Sequence, residues 1–469
     1  MKDLTTGKPM KVIWLFAIPM IIGQLSQQLY NFADSAIVGN YVSSDALAAV
    51  GATSVVSNML MGFLISGTLG LAIPIARNYG AKDYEKLRRT VAVSTILTAL
   101  ATIFLIVLGL VFIYPVLRLL GTPAEILGMA DDYVRIIIVG LVFIALYNLS
   151  ANILRAVGDS KTPLYFLGVS VVLNIGLDLL FIRGFNMAVV GAAVATVISQ
   201  AVSAIGCTAY LLFKCKWLLP KKGEYSVSHV DFTDLCMSAL SMGFMSCIVN
   251  IGTIVLQSAI NKLGTDIITA HTAARRVFDI LTVMLYIVGN AVTTFVSQNM
   301  GAGRIDRVKE GIKAGIMINM IITTVLVILD MLLASPLIRL VTGTTKAAIV
   351  DPAIMYLKIS VPCFYVLGPL FVLRCSMQGM GRKIVPIASS TLEMIFKILS
   401  VIFLAPHLGY LGITITEPII WASCTLMLSI MYFTCPPEKV FEAYKAKETN
   451  YRVLNTTYHM SIITIIKTG

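Results

Sequence analysis

Leu173-Asn174-Ile175-Gly176-Leu177-Asp178-Leu179-Leu180 lies inside an apolar run from Leu164 to Ile182 that is long enough to cross a bilayer, and it carries an acid there. On a helix Asn174 and Asp178, four apart, project from one face about one turn from each other. A charged carboxylate at membrane depth costs roughly 2.5–3.5 kcal/mol even on the lenient insertion scale, so this acid marks a functional site. A second such acid, Asp34, comes late in the first apolar run, behind Tyr30 and Asn31. The rest of the chain reads as scaffolding that brings the two acids to one cavity.

Composition fixes the class. With 57% hydrophobic residues, 13% charged and a mean hydropathy of +0.87, the 469-residue chain is not an ordinary soluble domain. Runs of about 20 apolar residues give twelve expected spans: 12–36, 46–75, 91–114, 134–155, 164–183, 188–213, 235–260, 267–297, 312–334, 354–377, 385–404 and 411–434. The expected fold is an all-α integral membrane protein. The net charge of +12 comes from connectors such as Arg77 to Arg89, Lys214 to Lys222 and Arg304 to Lys313. Every basic-rich connector falls on one side, which puts both termini in the cytoplasm of a multi-pass cell-membrane protein and argues against a nucleic-acid surface. The first run is too long for a cleavable signal peptide. The eight cysteines form no Cys-x-x-Cys pair and read as packing residues. No nucleophile triad, metal-ligand spacing or phosphate-cradling loop appears, so neither an enzyme nor a cofactor is expected.

The halves repeat. Arg77-Asn78-Tyr79-Gly80-Ala81 answers Gln298-Asn299-Met300-Gly301-Ala302 at an interval of 221, Gly158 and Pro163 answer Gly381 and Pro386 at 223, and Gly191 answers Gly412 at 221. Six spans separate the copies, so they share an orientation, as in transporters built from parallel repeats with a cavity between the lobes. The expected division is a lobe at 1–213, a linker at 214–234, a second lobe at 235–434 and a tail at 435–469. The tail has no evident role.

These stretches together resemble the multidrug and toxic compound extrusion (MATE) family. The likeness runs from about residue 10 to 434 and is carried by Pro19, Tyr30-Asn31-Phe32-Ala33-Asp34, Asn78-Tyr79-Gly80-Ala81, Arg155 to Pro163, Asn174 to Asp178, Gly191 to Thr196 and Gln298 to Gly303. It implies twelve transmembrane helices in two pseudo-symmetric six-helix lobes. It also implies export of organic cations in exchange for protons or sodium ions, by a chain expected to act as a monomer among membrane lipid. In the branch that couples through the N-terminal lobe, the cation site carries over to Asp34, Asn174, Asp178 and Thr196, with sodium, where it is the coupling ion, at Asp34, Asn174 and Asp178. Another branch uses acids in spans seven and ten. Neither 235–260 nor 354–377 contains one. A flippase for a lipid-linked precursor on a related two-lobed fold is the alternative.

Tyr30 and Asn31 are further cavity candidates, as are Arg276 and Glu393. Glu393 stands as the leftover carboxylate of the C-terminal lobe, with Lys397 four residues on at ion-pair spacing. Arg276 with Asp279 reads as an interhelical lock or a cavity wall. His271, near a helix end, reads as a polar surface residue.

Overall fold

A bilayer core offers no water to backbone amides, so apolar runs cross it as helices. In the computed structural model, which describes residues 2–41 and 44–446, every regular element among the described residues is helical. The N-terminal lobe comprises α1 (Pro9–Tyr41), α2 (Ser44–Gly80), α3 (Tyr84–Leu119), α4 (Ala124–Ala156), α5 (Lys161–Asp178) and α6 (Ala188–Lys214). The C-terminal lobe comprises α7 (His229–Ile260), α8 (Thr265–Gly301), α9 (Ile305–Thr342), α10 (Ala347–Ser360), α11 (Phe364–Gly379), α12 (Ile384–Leu399) and α13 (Ala405–Thr434). Ten helical runs are long and apolar enough to cross a membrane, and the bent pair α10–α11 makes an eleventh. The last run, Ile384–Thr434, is interrupted at Gly409 (φ 55°, ψ −133°), and α12 packs against α13, so that run supplies two spans. Counted this way, the described residues hold twelve runs able to cross.

The helices overrun the apolar windows. At 1.5 Å per residue, the 36 residues of α3 reach about 54 Å, well beyond a hydrocarbon core of about 30 Å, so their charged ends stand clear of it. The expected tenth span is broken: α10 and α11 meet at 56° across Val361 to Cys363, where Pro362 lacks the amide a helix needs. Spans five and eleven each widen into a π turn, at Leu179–Gly184 and Ser400–Leu404. Helix α7 starts earlier than its apolar run, because Ser228 caps it by accepting from the Asp231 amide at 3.1 Å. In the preceding linker, Glu224 accepts from Arg88 Nε at 2.7 Å and the Lys221 amide at 2.8 Å. The Arg88 guanidinium beside it holds the Glu224 carboxyl down to about 2.

The repeated glycines have physical work. Gly158 and Gly381 both follow the end of a helix at φ +85°, a left-handed conformation that favours glycine. Gly80 and Gly301 serve close approach. A Cβ on Gly80 would strike the Gln298 carbonyl, and one on Gly301 would strike the Arg77 carbonyl, because α2 and α8 meet there backbone to backbone. Around this contact, at the basic end of the bundle, the N-terminal segment ties the lobes. Lys2 N donates to Gly158 O at 3.2 Å, Leu4 N to Gln298 Oε1 at 3.1 Å, and Gln298 Nε2 to Ala156 O at 2.7 Å. Arg77 of α2 pairs with Asp234 of α7, which also takes Lys383 Nζ at 2.6 Å.

Gly80→Ala is therefore expected to cost about 1–3 kcal/mol through overpacking, read as a lower melting temperature of the purified protein. Gly51→Ala, where a Cβ meets nothing within 4 Å, should be neutral or stabilising by up to about 1 kcal/mol. Identical melting of the two variants would show the α2–α8 contact to be loose.

Candidate functional site

Helix α5 turns one stripe inward. Its buried residues are Pro163, Leu167, Ser170, Asn174 and Asp178, at steps of three and four. Between them Val172 is 74% exposed, on the side that faces lipid, while Asp178 is fully buried. The later half of the stripe, away from the basic end, is polar from Ser170 onward. Ser170 Oγ donates to Ser199 O at 2.8 Å. Asn174 and Asp178 find no such partner: both polar side-chain atoms of Asn174 and both carboxylate oxygens of Asp178 are buried without a hydrogen bond among the described residues, as is Asp34 Oδ1.

The first helix meets this stripe. Asp34 and Asp178 lie close enough to interact directly, and Tyr30 and Tyr133 are within electrostatic reach of both. Tyr30 Oη and Thr196 Oγ1 share a hydrogen bond of 3.1 Å. Thr196 reaches this level because α6 starts tightly against the π turn, where a Cβ on Gly191 would crowd Phe181 and Met187. An apolar cluster of Ile37, Ile182, Val189 and Ala192, with Tyr133 and Ile175 packed on it, seals the acids from the far end of the bundle.

Beside the acids runs a cavity of about 500 Å³, walled mainly by α1, α2, α4 and α6 and reached by Tyr286, Ile287 and Asn290 of α8. Tyr30, Asp34, Tyr133 and Thr196 line it near one end, and Asn152, Arg155 and Ser160 near the basic end. Asp178 sits one layer behind the wall. Asn174 faces a small neighbouring pocket with Gln27, Tyr30 and Gln200. Two neighbouring acids, Asp178 buried and Asp34 half-buried, cannot easily both stay charged and uncompensated, so the arrangement has the chemistry to take up a proton or a hard cation and release it.

Several expectations need correction. The side chain of Asn31 lies outside the described residues, although its backbone belongs to α1. Glu393 is not the leftover carboxylate of its lobe, because Glu417 on α13 and Asp330 on α9 are buried acids of the same lobe. Glu393 is held from two sides, by Lys397 Nζ at 3.1 Å and Arg374 Nη2 at 3.2 Å. The interhelical lock is made by Arg275, while its neighbour Arg276 is exposed. Arg275 bridges Glu417 at 2.6 Å and Asp279 at 3.1 Å, and Tyr356 Oη donates to Glu417 Oε2 at 2.9 Å. His271 is no surface residue: it is 4% exposed, with Nδ1 3.2 Å from Tyr410 Oη. Glu417 and Asp330 were open to the same test that found Asp178, an acid inside an apolar run. Tyr133 falls just before the apolar window of the fourth span and gives no such signal.

A family model described as MatE matches the chain twice, at residues 19–180 and 242–403, one match in each lobe. The chain is 28% identical to the probable multidrug resistance protein YoeA of Bacillus subtilis (strain 168), over 91% of this chain and 94% of that protein. It is 26% identical to the multidrug export protein MepA of Staphylococcus aureus (strain N315), over 90% of this chain and 93% of the relative. A crystal structure of MATE in complex with MaD3S superposes with a TM-score of 0.85 at 25% identity, covering 95% of this chain and 98% of that one.

The satisfied and unsatisfied acids should respond oppositely to neutralisation. Glu393→Gln strands Arg374 and Lys397 and is expected to destabilise by roughly 3–5 kcal/mol. Asp178→Asn removes a charge that has no partner and should leave the melting temperature unchanged or raise it. The check is thermal unfolding of both variants in one detergent; a large loss in Asp178→Asn would reveal a partner that holds the carboxylate.

Proposed function

The chain belongs to the MatE family of membrane transporters, and from that premise we propose that it exports cationic, partly apolar small molecules in exchange for inward-moving protons or sodium ions. The observation that carries this reading is the close pair of buried Asp178 and half-buried Asp34, with both Asp178 oxygens and Asp34 Oδ1 lacking a partner elsewhere among the described residues, beside a cavity of drug-molecule size. A coupling ion bound there supplies the compensation the fold leaves out. A cationic substrate in the cavity draws on the same negative charge, so the two compete, and each is released when the other binds.

On this reading Asp34 and Asp178 carry the ion's charge, Asn174 and Thr196 offer neutral oxygens, and Tyr30 fixes Thr196 through their 3.1 Å bond. The lobes, residues 1–213 and 235–434, rock about the cavity with 214–234 as their linker, and the basic connectors keep both termini cytoplasmic. A flippase for anionic lipid-linked precursors would need a cation-lined groove. Among the described residues Arg155 is the only Lys or Arg that lines the cavity. The exporter is therefore favoured.

Asp178→Asn keeps shape and hydrogen-bonding capacity but cannot exchange a proton or balance a sodium charge, so gradient-driven efflux from vesicles should be abolished while the protein stays inserted. Efflux at the parent rate would make Asp178 structural. Two acids also suit two coupling ions. One-for-one exchange of monovalent cations moves no net charge and draws only about 1.4 kcal/mol from a one-unit pH gradient. Two ions inward per substrate add roughly 2.3 kcal/mol per 100 mV. Efflux of a monovalent cation from proteoliposomes, with ion gradients fixed and the potential set by potassium and valinomycin, should accordingly respond to the potential; indifference to it would refute the two-ion count.

A further inference from the structure

The lobes correspond element by element, which allows one to be read as a template for the other. Helices α2 and α8 both run 37 residues, from Ser44 and Thr265, 221 apart. The 33 residues of α4 correspond to the stretch 347–379 covered by α10 and α11, beginning 223 later. The π turns begin at Leu179 and Ser400, and Gly191 and Gly412 each pack a helix start against the residue four before it, Met187 and Leu408, again 221 apart.

On these intervals Ser54, Asn58, Tyr133 and Thr196 correspond to Arg275, Asp279, Tyr356 and Glu417. All four N-terminal residues line the cavity. Their counterparts touch one another instead. The Arg275 guanidinium lies 2.6 Å from Glu417 Oε1, 3.1 Å from Asp279 Oδ1 and 3.2 Å from Tyr356 Oη. His271, counterpart of the cavity-lining Val50, closes the cluster edge-on against the Tyr356 ring. Asp178, at the head of the N-terminal π turn, has apolar Leu399 as its counterpart. Where one lobe has an open cavity beside uncompensated acids, the other has three oxygens gathered around a positive charge of its own.

We infer that Arg275 is a resident cation: its guanidinium fills, in the C-terminal lobe, the place a transported cation takes in the N-terminal lobe, and so confines ion coupling to one lobe. This rests on the exchange reading given above for Asp34 and Asp178. Arginine suits the task because it stays protonated throughout the physiological range, so the place never empties. Without it, Glu417, Asp279 and Tyr356 form a set of carboxylate and phenol oxygens of the kind that binds hard cations such as sodium. The place is also reachable. The side chains of Arg275 and Asp279 are 31% and 49% exposed, and Asp279 lies on the face of α8 that carries Tyr286 and Asn290, seven and eleven residues on, into the cavity.

The test is thermal unfolding of the full-length protein in detergent, with sodium chloride compared against choline chloride at equal ionic strength. The background is Asp34→Asn/Asp178→Asn, which removes the N-terminal acids. With Arg275 in place, sodium should produce no specific shift. Adding Arg275→Ala should lower the melting temperature in choline and make sodium raise it by several degrees, through binding to the folded state. Adding Glu417→Gln to that protein should abolish the sodium response. Absence of a sodium-specific shift or rescue in the Arg275→Ala protein, whether it folds in choline or not, overturns the proposal, as does a sodium shift while Arg275 is present. Ion response of the protein with Asp34 and Asp178 intact reports on the N-terminal site by itself, so failure there is separable from failure here.

Discussion

Hydrocarbon offers no partner to a polar group, so every charge buried in this bundle must find its counterpart within the chain or carry its cost unrelieved. This one constraint sorts the buried acids. Glu393, gripped by Arg374 and Lys397, fastens α11 to α12. Glu417, bonded by Arg275 and Tyr356, fastens α13 to α8 and α10. Asp34 and Asp178 fasten nothing through their unpartnered oxygens, and Asp330 on α9 likewise keeps one buried oxygen without a partner among the described residues. A fold that tolerates such acids is stabilised elsewhere, and on the proposed exchange what Asp34 and Asp178 gain is the capacity to hold something exchangeable.

Much of this was legible in the sequence for the same reason. A run of 20 apolar residues has few readings, and an acid inside one has fewer, so the helices, Asp34 and Asp178 follow from cost alone. The repeat was legible because its glycines are demanded by backbone geometry: Gly80 and Gly301 by the approach of two backbones, Gly158 and Gly381 by a left-handed turn. What stayed hidden depends on rotation and register. Arg275 and Arg276 are adjacent in sequence yet point about 100° apart on a helix, and nothing local says which one meets Glu417. The break at Pro362 and the widening after Asp178 change the register of everything beyond them, and hydropathy is blind to both. The burial of His271 depends on Tyr410, 139 residues away.

The seam at the basic end has a scale suited to movement. It combines a backbone contact between α2 and α8 with a handful of hydrogen bonds through Lys2, Leu4 and Gln298 and the Arg77–Asp234 pair. Hydrogen bonds of this kind contribute about 1 kcal/mol each, net. Inverting a two-state population from 1:99 to 99:1 takes about 5.5 kcal/mol. The hydrogen-bonded part of the seam is within reach of the binding energy of an ion or a substrate, while the packing of α2 on α7 and of Phe16, Ala17 and Met20 of α1 within the C-terminal core extends the contact between the lobes beyond it. Small residues along α2 and α7, with Gly70 set against the Ser238 carbonyl and Gly243 against the Phe63 ring, leave these helices close-fitting along their length.

The two lobes share much of a backbone plan, and around Arg275 they differ in a few side chains whose charges compensate one another. A glutamate alone at 417, in a lobe without Arg275, would be another uncompensated acid; an arginine alone at 275 would be a stranded cation; both are costly, while the pair with Tyr356 is satisfied on every side. The same reasoning explains why the C-terminal lobe has an apolar residue, Leu399, where the N-terminal lobe has Asp178: with the positive charge fixed, further acids at that level would again lack partners. Fixing the charge of one lobe has a consequence for transport. On the proposed exchange at Asp34 and Asp178, the charge of the N-terminal lobe changes during the cycle while the charge of the cluster tethered around Arg275 does not, so the field across the membrane acts differently on the two lobes as ions bind and leave.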